Sequence, residues 1–332
     1  MRKVLLDSCG RKIESVRISL TDRCNLRCLY CVPHRNLDLN RKSEILSFEE
    51  IISLIKCLVK LGVDKIKLTG GEPLLRKDVA NLVRRIVEIP GVQDLSLTTN
   101  GVLFAGYAVE LKKAGLKRVT ISLDSLRSER FSFLTGHNRI VEVVRSIRCA
   151  LDSGFIPVKI NVVVLKGIND DEIGGFVRLT RNHNLVVRFV EFMPTCNALE
   201  WSKYFISGTE ILEKIKEIVK GTTPKVIPDK VFGSGPARYF RISGYRGSFG
   251  LITPLSRPFC SGCNRLRITA AGDLVLCLHR PISFNLHSLL EKGSEEMVMA
   301  FIEDAVLQKP ANHGLASPNF LKVPVSMCQI GG

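Results

Sequence analysis

The sequence predicts an α/β fold, a partial (β/α)6 barrel followed by a small C-terminal domain. Three observations predict it. Six short runs rich in Val, Ile, Leu and Thr recur through the first two-thirds of the chain, helical segments separate them, and the rhythm changes beyond about residue 220. Alternation of strands and helices at this spacing indicates parallel strands with right-handed crossovers. A doubly wound sheet is the competing architecture.

The elements of the barrel follow in order along the chain. Ser47 and Glu50 form a capping-box pattern that predicts the start of the first helix. The predicted strands are Val16–Thr21, Lys65–Thr69, Asp94–Thr99, Arg118–Leu123, Val158–Val164 and Val186–Phe192. The predicted helices are Phe48–Leu61, Lys77–Ile89, Tyr107–Ala114, Ile140–Asp152 and Asp171–Asn182.

The C-terminal third has a different pattern. A helix is predicted at Gly208–Val219, and short strands follow. We therefore predict a barrel domain over residues 1–230 and a C-terminal domain over residues 231–332. The short strands are Ala237–Ser243, Ser248–Thr253, Leu266–Thr269 and Leu274–Leu278, the last two joined by a turn at residues 271–273.

Composition and charge narrow the class of protein. The chain has 332 residues, of which 45% are hydrophobic and 24% charged, and no 18-residue apolar run that could span a membrane. The N-terminus lacks the apolar segment of a secretory signal, so we expect the cysteines in a reducing cytoplasm. Eleven cysteines there favour metal or redox chemistry over disulfides.

The net charge of +16 predicts an anionic partner. Lys and Arg are scattered over helices and strand ends, which is weaker support for nucleic acid than a basic stripe would be. A solvated basic surface explains most of the excess. We expect neither nucleic acid nor a membrane as partner.

Three cysteines follow the first predicted strand directly. Cys24, Cys28 and Cys31 have spacings that let one loop give a thiolate to each of three irons of a cubane cluster. Structural zinc sites and most ferredoxin clusters use four protein ligands. Three cysteines therefore leave one iron open to a reactant. A zinc site completed by a distant ligand such as His34 is the alternative.

A glycine pair ends the second predicted strand. Gly70 and Gly71 let the backbone approach a ligand closely, and Glu72 can order the loop or accept a hydrogen bond. A glycine pair is often an ordinary turn. Here it lies on the same side of the sheet as the cysteine loop, where ligand sites of such folds cluster.

A second group of cysteines lies in the C-terminal third. Cys260 and Cys263 are followed by Cys277 after thirteen residues. Taken alone, this pattern favours zinc. Arg265 and Arg267 follow Cys263 and alternate along a predicted strand, so we expect both on one face and near these cysteines.

The first cysteine loop, with Tyr30 and Gly-Gly-Glu-Pro, resembles the radical S-adenosylmethionine (SAM) superfamily. In that superfamily the open iron chelates SAM, and electron transfer cleaves it to a 5′-deoxyadenosyl radical. The second cysteine pattern with Asn264 to Thr269 resembles one branch, the GTP 3′,8-cyclases (MoaA-type), which open molybdenum cofactor biosynthesis. This resemblance implies a second [4Fe–4S] cluster that contacts the guanine of GTP.

Matches to this branch cover nearly the whole chain and end at Gly331 and Gly332, which in the family reach into the active site. By resemblance, catalytic roles fall to the first cysteine set (Cys24, Cys28 and Cys31), to Arg17, to both arginines after Cys263 and to the terminal glycines, and all six cysteines bind metal. The residues expected to contact SAM are Tyr30, Gly71, Ser122 and Met193. Those expected to contact GTP are Arg17, Lys67, Thr98, Lys159, Arg265, Leu266 and Arg267.

A triphosphate suits these residues because guanidinium forks match its oxygens. Lys67 stands where the family commonly has Arg, so it keeps the charge and loses the bidentate fork. The resemblance implies a cytoplasmic lyase that forms (8S)-3′,8-cyclo-7,8-dihydroguanosine 5′-triphosphate. Its implied partners are cyclic pyranopterin monophosphate synthase downstream, reduced flavodoxin or a ferredoxin-type electron donor, and a second copy in a homodimer.

Two other functions stay open from the residues alone. A two-cluster radical SAM enzyme that modifies a peptide would share the first cysteine loop, although such enzymes generally carry larger auxiliary cysteine sets. A zinc protein that binds nucleic acid would share the basic charge and the Cys-x-x-Cys pattern. Anaerobic purification tests the last alternative, because a zinc protein would be colourless and free of sulfide.

Overall fold

A computed structural model describes residues 3–31, 39–194, 200–219, 224–227, 235–315 and 327–331. Its strands and helices alternate through the first two-thirds of the chain. The strands are β1 (Ser15–Ser19), β2 (Lys65–Thr69), β3 (Asp94–Thr99), β4 (Arg118–Ser122), β5 (Val158–Val164), β6 (Leu185–Glu191), β7 (Lys225–Ile227), β8 (Arg238–Arg241), β9 (Ser248–Ile252), β10 (Arg265–Ile268), β11 (Asp273–Cys277) and β12 (Arg280–Asn285). The helices are α1 (Phe48–Lys60), α2 (Val79–Val87), α3 (Phe104–Lys113), α4 (Ser128–Thr135), α5 (Ile140–Asp152), α6 (Ile173–Asn182), α7 (Trp201–Tyr204), α8 (Gly208–Ile218), α9 (His287–Lys292), α10 (Glu295–Leu307) and α11 (Met327–Ile330).

The described strands form one mixed sheet in the order β12-β11-β10-β1-β2-β3-β4-β5-β6-β9-β8-β7. Strands β1 to β6 are parallel and follow chain order. A doubly wound sheet would reverse its strand order in the middle. The partial (β/α)6 barrel is therefore confirmed over the competing architecture.

The C-terminal strands extend both edges of the barrel sheet. Strand β10 pairs in parallel with β1, and β9 pairs in parallel with β6. The outer strands β11, β12, β8 and β7 are antiparallel to their neighbours. The division at residues 230 and 231 stays a prediction, since the strands on either side of it share one sheet.

The register of three adjacent strands aligns basic side chains. Arg17 of β1 lies opposite Lys67 of β2 and opposite Arg267 of β10. Directly opposite residues on neighbouring strands point to the same face. The sheet therefore places these three basic residues side by side on one face, although they are separated by up to 250 positions in the sequence.

Local signals in the sequence place several helix starts. Ser47 caps α1: its hydroxyl accepts from the Glu50 amide at 3.2 Å, and the Glu50 carboxylate accepts from the Ser47 amide at 2.6 Å. The predicted capping box is confirmed. Ser207 and Glu210 form the same reciprocal pair at the start of α8. Buried Val, Leu and Ile side chains from one face of the barrel strands pack with the helices to form the main core.

The observed elements differ from the predicted ones at their ends and in the C-terminal third. Helix α3 begins at Phe104, three residues earlier than predicted, where the Ser146 hydroxyl of α5 accepts from the Ala105 amide at 2.9 Å. The start predicted for α6 forms a short 3-10 turn at Asp170–Glu172 instead. The elements that were not predicted are helices α4, α7, α9, α10 and α11 and strands β7 and β12. No described helix has the length and apolar character needed to cross a bilayer.

Candidate active site

The first cysteine set, Cys24, Cys28 and Cys31, lies in the loop that follows β1, as predicted. Backbone hydrogen bonds hold the loop to its neighbours: the Arg27 and Leu29 amides donate to the last turn of α4 at 2.8 and 2.9 Å. The side-chain amide of Asn100 donates to the Cys24 sulfur at 3.6 Å. Burial raises the pKa of the Cys28 thiol well above its ordinary value, and Asp124 and Cys24 add to the shift. The loop is therefore held in place by contacts outside itself.

Gly71 fits against the cysteine loop without room for a side chain. A Cβ atom at this position would lie 2.3 Å from the Arg23 carbonyl oxygen. The Gly71 amide donates to the Thr21 carbonyl at 2.6 Å. Close approach of two backbones thus explains why glycine is needed here.

Glu72 is fully buried and joins its own loop to the end of β3. Its carboxylate accepts hydrogen bonds from Leu74 N at 3.1 Å, Thr99 Oγ1 at 2.8 Å and Asn100 N at 2.8 Å. Burial raises its pKa to about 7 despite these donors. The described contacts show both features that the sequence suggested for Glu72, since its carboxylate accepts hydrogen bonds and thereby orders the loop.

Tyr30 lies between the cysteine loop and β4. Its hydroxyl donates to Asp124 Oδ2 at 2.5 Å, and Asp124 Oδ1 accepts from the Val163 amide at 2.7 Å. Burial raises the pKa of Asp124 to about 6. Sequence reasoning did not single out Asp124 as a site residue. The signal available was its position directly after β4, where Ser122 already pointed to the site.

The second cysteine set, Cys260, Cys263 and Cys277, spans a short 3-10 turn and the end of β11. Burial raises the pKa of the Cys263 thiol, but the charges of Lys309 and Arg265 outweigh it, so that pKa lies below its ordinary value. Strand β10 carries this set to the side of β1. The two cysteine sets are therefore brought to neighbouring strands from opposite ends of the chain.

Both cysteine sets line one cavity of about 300 Å³. A smaller cavity of about 60 Å³ adjoins it, and Arg17, Asn161 and Arg265 line both. Lys67, Lys159 and Arg188 line the smaller cavity. The two cavities thus adjoin through shared side chains, with thiols in the larger one and most of the basic side chains in the smaller one.

The basic side chains of the smaller cavity are buried or half-buried beside one another. Burial, together with the charges of Arg188 and Arg118, lowers the pKa of Lys159 to about 6. Burial also lowers the pKa of Lys67 well below its ordinary value, with Arg17 and Arg188 contributing next. Bringing like charges together costs free energy unless an anion joins them. The cavity is therefore built for a strongly anionic group.

Arg188 belongs to this basic group and was missed as a site residue. Its guanidinium donates to Asn161 Oδ1 at 2.8 Å and to Thr120 Oγ1 at 3.2 Å. It is the one basic residue in β6, whose other positions are apolar apart from Glu191. A charge in the middle of an otherwise apolar buried strand was the signal that could have identified it.

The chain's C-terminal segment enters the same region. The Gly331 carbonyl accepts a hydrogen bond from the Arg267 guanidinium. A Cβ atom on Gly331 would lie 2.8 Å from Thr69 Cγ2, and its φ is +74°. Met327 lines the main cavity. Gly332 and His34 lie outside the described residues.

The remaining predicted residues fall into two groups. Those that line the main cavity with the first cysteine set are Tyr30, Gly71, Thr98, Ser122, Met193, Arg265 and Arg267. Leu266 differs, because its side chain is fully buried in the main core. Alternation along β10 turns it away from the two arginines that flank it, so its side chain does not line the cavity.

The donor chemistry of both cysteine sets fits an iron–sulfur cluster. None of the six thiols takes part in a disulfide, and thiolates are the usual ligands of [4Fe–4S] clusters. Among the described residues, no three Cys, His, Asp or Glu side chains are grouped as a site for a single metal ion. The agreement between these cysteines and iron–sulfur clusters therefore rests on the sulfur donors themselves and on the cavity that both sets line. Tyr30, Gly71, Ser122 and Met193 line that cavity, as a cofactor beside the first set requires.

Two family models match the chain in succession. The model described as the radical SAM superfamily matches residues 18–180, which include the first cysteine set. The model described as molybdenum cofactor synthesis C matches residues 185–315, which include the second set. Together they cover both regions that line the cavity.

Curated relatives match over nearly their whole length. The GTP 3′,8-cyclase of Peptoclostridium acidaminophilum is 41% identical over 333 residues, covering 100% of this chain and 99% of the relative. The GTP 3′,8-cyclase of Moorella thermoacetica is 44% identical over 331 residues, covering 98% and 99%. Similarity of this extent includes both cysteine regions and the C-terminal segment.

Solved structures support the fold. Streptococcus suis SuiB bound to the precursor peptide SuiA superimposes with a TM-score of 0.64, covering 96% of this chain and 76% of that one at 16% identity. SuiB bound to S-adenosylmethionine gives a TM-score of 0.60 and covers 88% and 68%. At this identity the likeness concerns the fold alone and carries nothing about a peptide substrate.

Proposed function

The chain belongs to the GTP 3′,8-cyclase family of radical SAM enzymes, and on that basis we propose that it cyclises GTP through two [4Fe–4S] clusters. The product is (8S)-3′,8-cyclo-7,8-dihydroguanosine 5′-triphosphate, which opens molybdenum cofactor biosynthesis. One observation carries the proposal: both cysteine sets and a buried group of arginines and lysines line two adjoining cavities.

The first cysteine set would hold the cluster that binds SAM, and Tyr30, Gly71, Ser122 and Met193 would contact that cofactor. When bound, cluster and SAM supply the 5′-deoxyadenosyl radical that removes the ribose 3′ hydrogen of GTP. Gly71 keeps the wall of the cofactor site free of a side chain, and Asp124 holds the Tyr30 ring by its hydroxyl. These residues position the cofactor and exclude water.

The second cysteine set would hold a cluster facing the guanine. Because three thiolates leave one iron without a protein ligand, the base can be oriented there with C8 toward the ribose. Arg17, Lys67, Lys159 and Arg188 would bind the triphosphate in the smaller cavity. Buried cations of this density bind a triphosphate by charge-assisted hydrogen bonds. The substrate is thereby held at both ends while its middle reacts.

Arg265 and Arg267 line the cavity between the second cysteine set and the basic group. Their place favours contact with the nucleotide near the guanine, and the Gly331 contact favours a role of the tail in holding Arg267. Thr98 would contact the nucleotide from β3. Leu266 would contribute through its backbone, since its side chain is in the core.

Partners and location follow from family membership as part of the same proposal. Cyclic pyranopterin monophosphate synthase would consume the product, and reduced flavodoxin or a ferredoxin-type protein would supply electrons in a reducing cytoplasm. The two cysteine sets, which form no disulfide, suit such a compartment. A homodimer is proposed as the oligomeric state.

Anaerobic incubation with GTP, SAM and a reductant, followed by mass analysis of the nucleotide, tests this function. A product isomeric with GTP, formed together with 5′-deoxyadenosine, is expected. Titration of the reconstituted protein with GTP and ATP adds a binding readout. Equal weak binding of both nucleotides, or a colourless zinc protein without sulfide, would overturn the proposal.

A further inference from the structure

A buried lysine lies behind the second cysteine set, outside the proposed substrate contacts. Lys309 is 3% exposed, and its ammonium donates to the Arg265 carbonyl at 2.9 Å and to the Leu276 carbonyl. Arg265 is two residues after Cys263, and Leu276 immediately precedes Cys277. Lys309 therefore joins the two segments that carry these cysteines.

A second buried cation fixes the backbone around Lys309. Arg11 donates to the Pro310 and Ala311 carbonyls at 2.8 and 3.1 Å, and also to the Cys260 carbonyl at 2.8 Å. Its Nε donates to Asp7 Oδ2 at 2.6 Å, which balances the charge of Arg11. The position of Lys309 relative to all three cysteines is thus over-determined by contacts to backbone carbonyls.

The charge of Lys309 has no such balance from a carboxylate. Within the described part of the chain, no carboxylate oxygen forms an ion pair with Lys309 Nζ, whereas Arg11 has Asp7. Burial lowers the pKa of Lys309, and the nearby sulfur groups of Cys263 and Cys277 oppose this shift. An unbalanced buried charge is costly, so the residues around it are expected to supply the opposite charge when the site is complete.

We propose that Lys309 is the buried counter-cation of the second cluster and raises its reduction potential. The inference rests on the proposed function, because it requires a cluster at the second cysteine set. A [4Fe–4S]2+ core with three thiolates carries a net negative charge, and one-electron reduction adds another. A fixed positive charge nearby stabilises the reduced state more than the oxidised state. Lys309 is thus a positioning and tuning residue.

The test measures the midpoint potential of the second cluster in isolation. In the full chain with Cys24, Cys28 and Cys31 each changed to Ala, only the second cluster contributes to the electron paramagnetic resonance signal. We expect Lys309→Met to lower the ratio of reduced to oxidised cluster at a fixed potential by about tenfold, which corresponds to about 59 mV for one electron. Lys309→Arg keeps the charge and is expected to keep most of the potential.

Lys60→Met is the matched control, because Lys60 is an exposed cation of α1 paired with Glu295. It is expected to leave the potential unchanged. An unshifted Lys309→Met potential would overturn the inference. If Lys309→Met assembles no cluster, assembly by Lys309→Arg supports a need for the charge, and failure of both variants overturns it in favour of a purely structural contact.

The full chain with Cys24, Cys28 and Cys31 each changed to Ala is the parent variant of these substitutions. Its cluster content distinguishes failure of this inference from failure of the proposed function. A parent that binds no four-iron cluster overturns the proposed second cluster and this inference with it. A parent with a normal cluster and an unshifted Lys309→Met overturns this inference alone.

Discussion

The Arg267 guanidinium donates a hydrogen bond to the carbonyl oxygen of Gly331, so the end of the chain touches a strand that borders both cysteine sets. Strand β10 places Arg267 directly beside Arg17. Gly331 therefore contacts a side chain of the cavity wall, since Arg267 lines the main cavity.

Removal of Gly331 and Gly332 tests this contact. We expect both clusters to assemble normally, because neither cysteine set contacts Gly331, while cyclic product falls below detection because Arg267 is no longer held. Iron and sulfide content measure the clusters, and mass analysis measures the product. An active truncation would contradict the role of the tail.

Gly71→Ala is expected to abolish cofactor cleavage while sparing the rest of the fold. The new methyl group would lie 2.3 Å from the Arg23 carbonyl, so the cysteine loop must move. A displacement of about 1 Å at a reacting centre costs about 100-fold in rate. The rate of 5′-deoxyadenosine formation measures the effect.

Gly106→Ala is the matched control, since nothing lies within 4 Å of a Cβ atom built at Gly106 in α3. We expect it to stabilise the protein by about 1 kcal/mol through helix propensity, without a change in rate. If Gly71→Ala cleaves SAM as fast as Gly106→Ala, the close backbone contact has no functional role.

The sequence predicted the barrel well because its signals are local. Strands β2, β3 and β5 and helix α5 have the predicted bounds, since apolar and polar residues there follow the periodicity of the element. The cysteine loop was equally visible, because one short segment supplies all its thiols. Each of these strands, this helix and the cysteine loop is specified by one short continuous segment of the chain.

The strand pairing at the two edges of the sheet and the contacts around the second cysteine set depend on residues far apart in the sequence, which leave no local pattern. Nothing in residues 265–268 shows that they pair with β1, or that β9 joins the opposite edge of the sheet. Arg11 and Lys309 act on backbone carbonyls of distant segments, and a carbonyl has no sequence signature. Helix α4 was missed because its sequence lacks an apolar stripe.

Cys277→Ala is expected to spare 5′-deoxyadenosine formation more than cyclisation. The first cysteine set, which holds the proposed SAM site, keeps its ligands, whereas the second cluster loses one and with it the ordered guanine. The ratio of deoxyadenosine to cyclic product should rise in this variant. Cys149→Ala, which alters a cysteine of α5 outside both sets, is the control. Full retention of cyclic product by Cys277→Ala would count against a second cluster that binds substrate.

GTP binding at pH 7.5 is expected to take up protons. In the free protein the pKa of Lys159 lies at about 6, so its amine is mostly neutral at this pH. An anionic triphosphate nearby favours the ammonium and raises that pKa, so a proton must be gained and not released. Well below pH 6 the Lys159 amine is already charged in the free protein, so GTP binding no longer adds a proton to it. Lys67, whose pKa is also lowered, is expected to add to the effect.

Isothermal titration in two buffers of different ionisation enthalpy measures this uptake, because the observed heat then changes with the buffer. Lys159→Met should remove about one proton of uptake and weaken GTP binding by about tenfold, as expected for loss of a hydrogen bond between charged groups. Lys117→Met is the control: this exposed lysine donates to the Gln93 carbonyl away from the cavity and should leave both quantities unchanged. If Lys159→Met and the unsubstituted protein show the same dependence on buffer, Lys159 does not change charge when the triphosphate binds, and the basic group must bind it with charges already present.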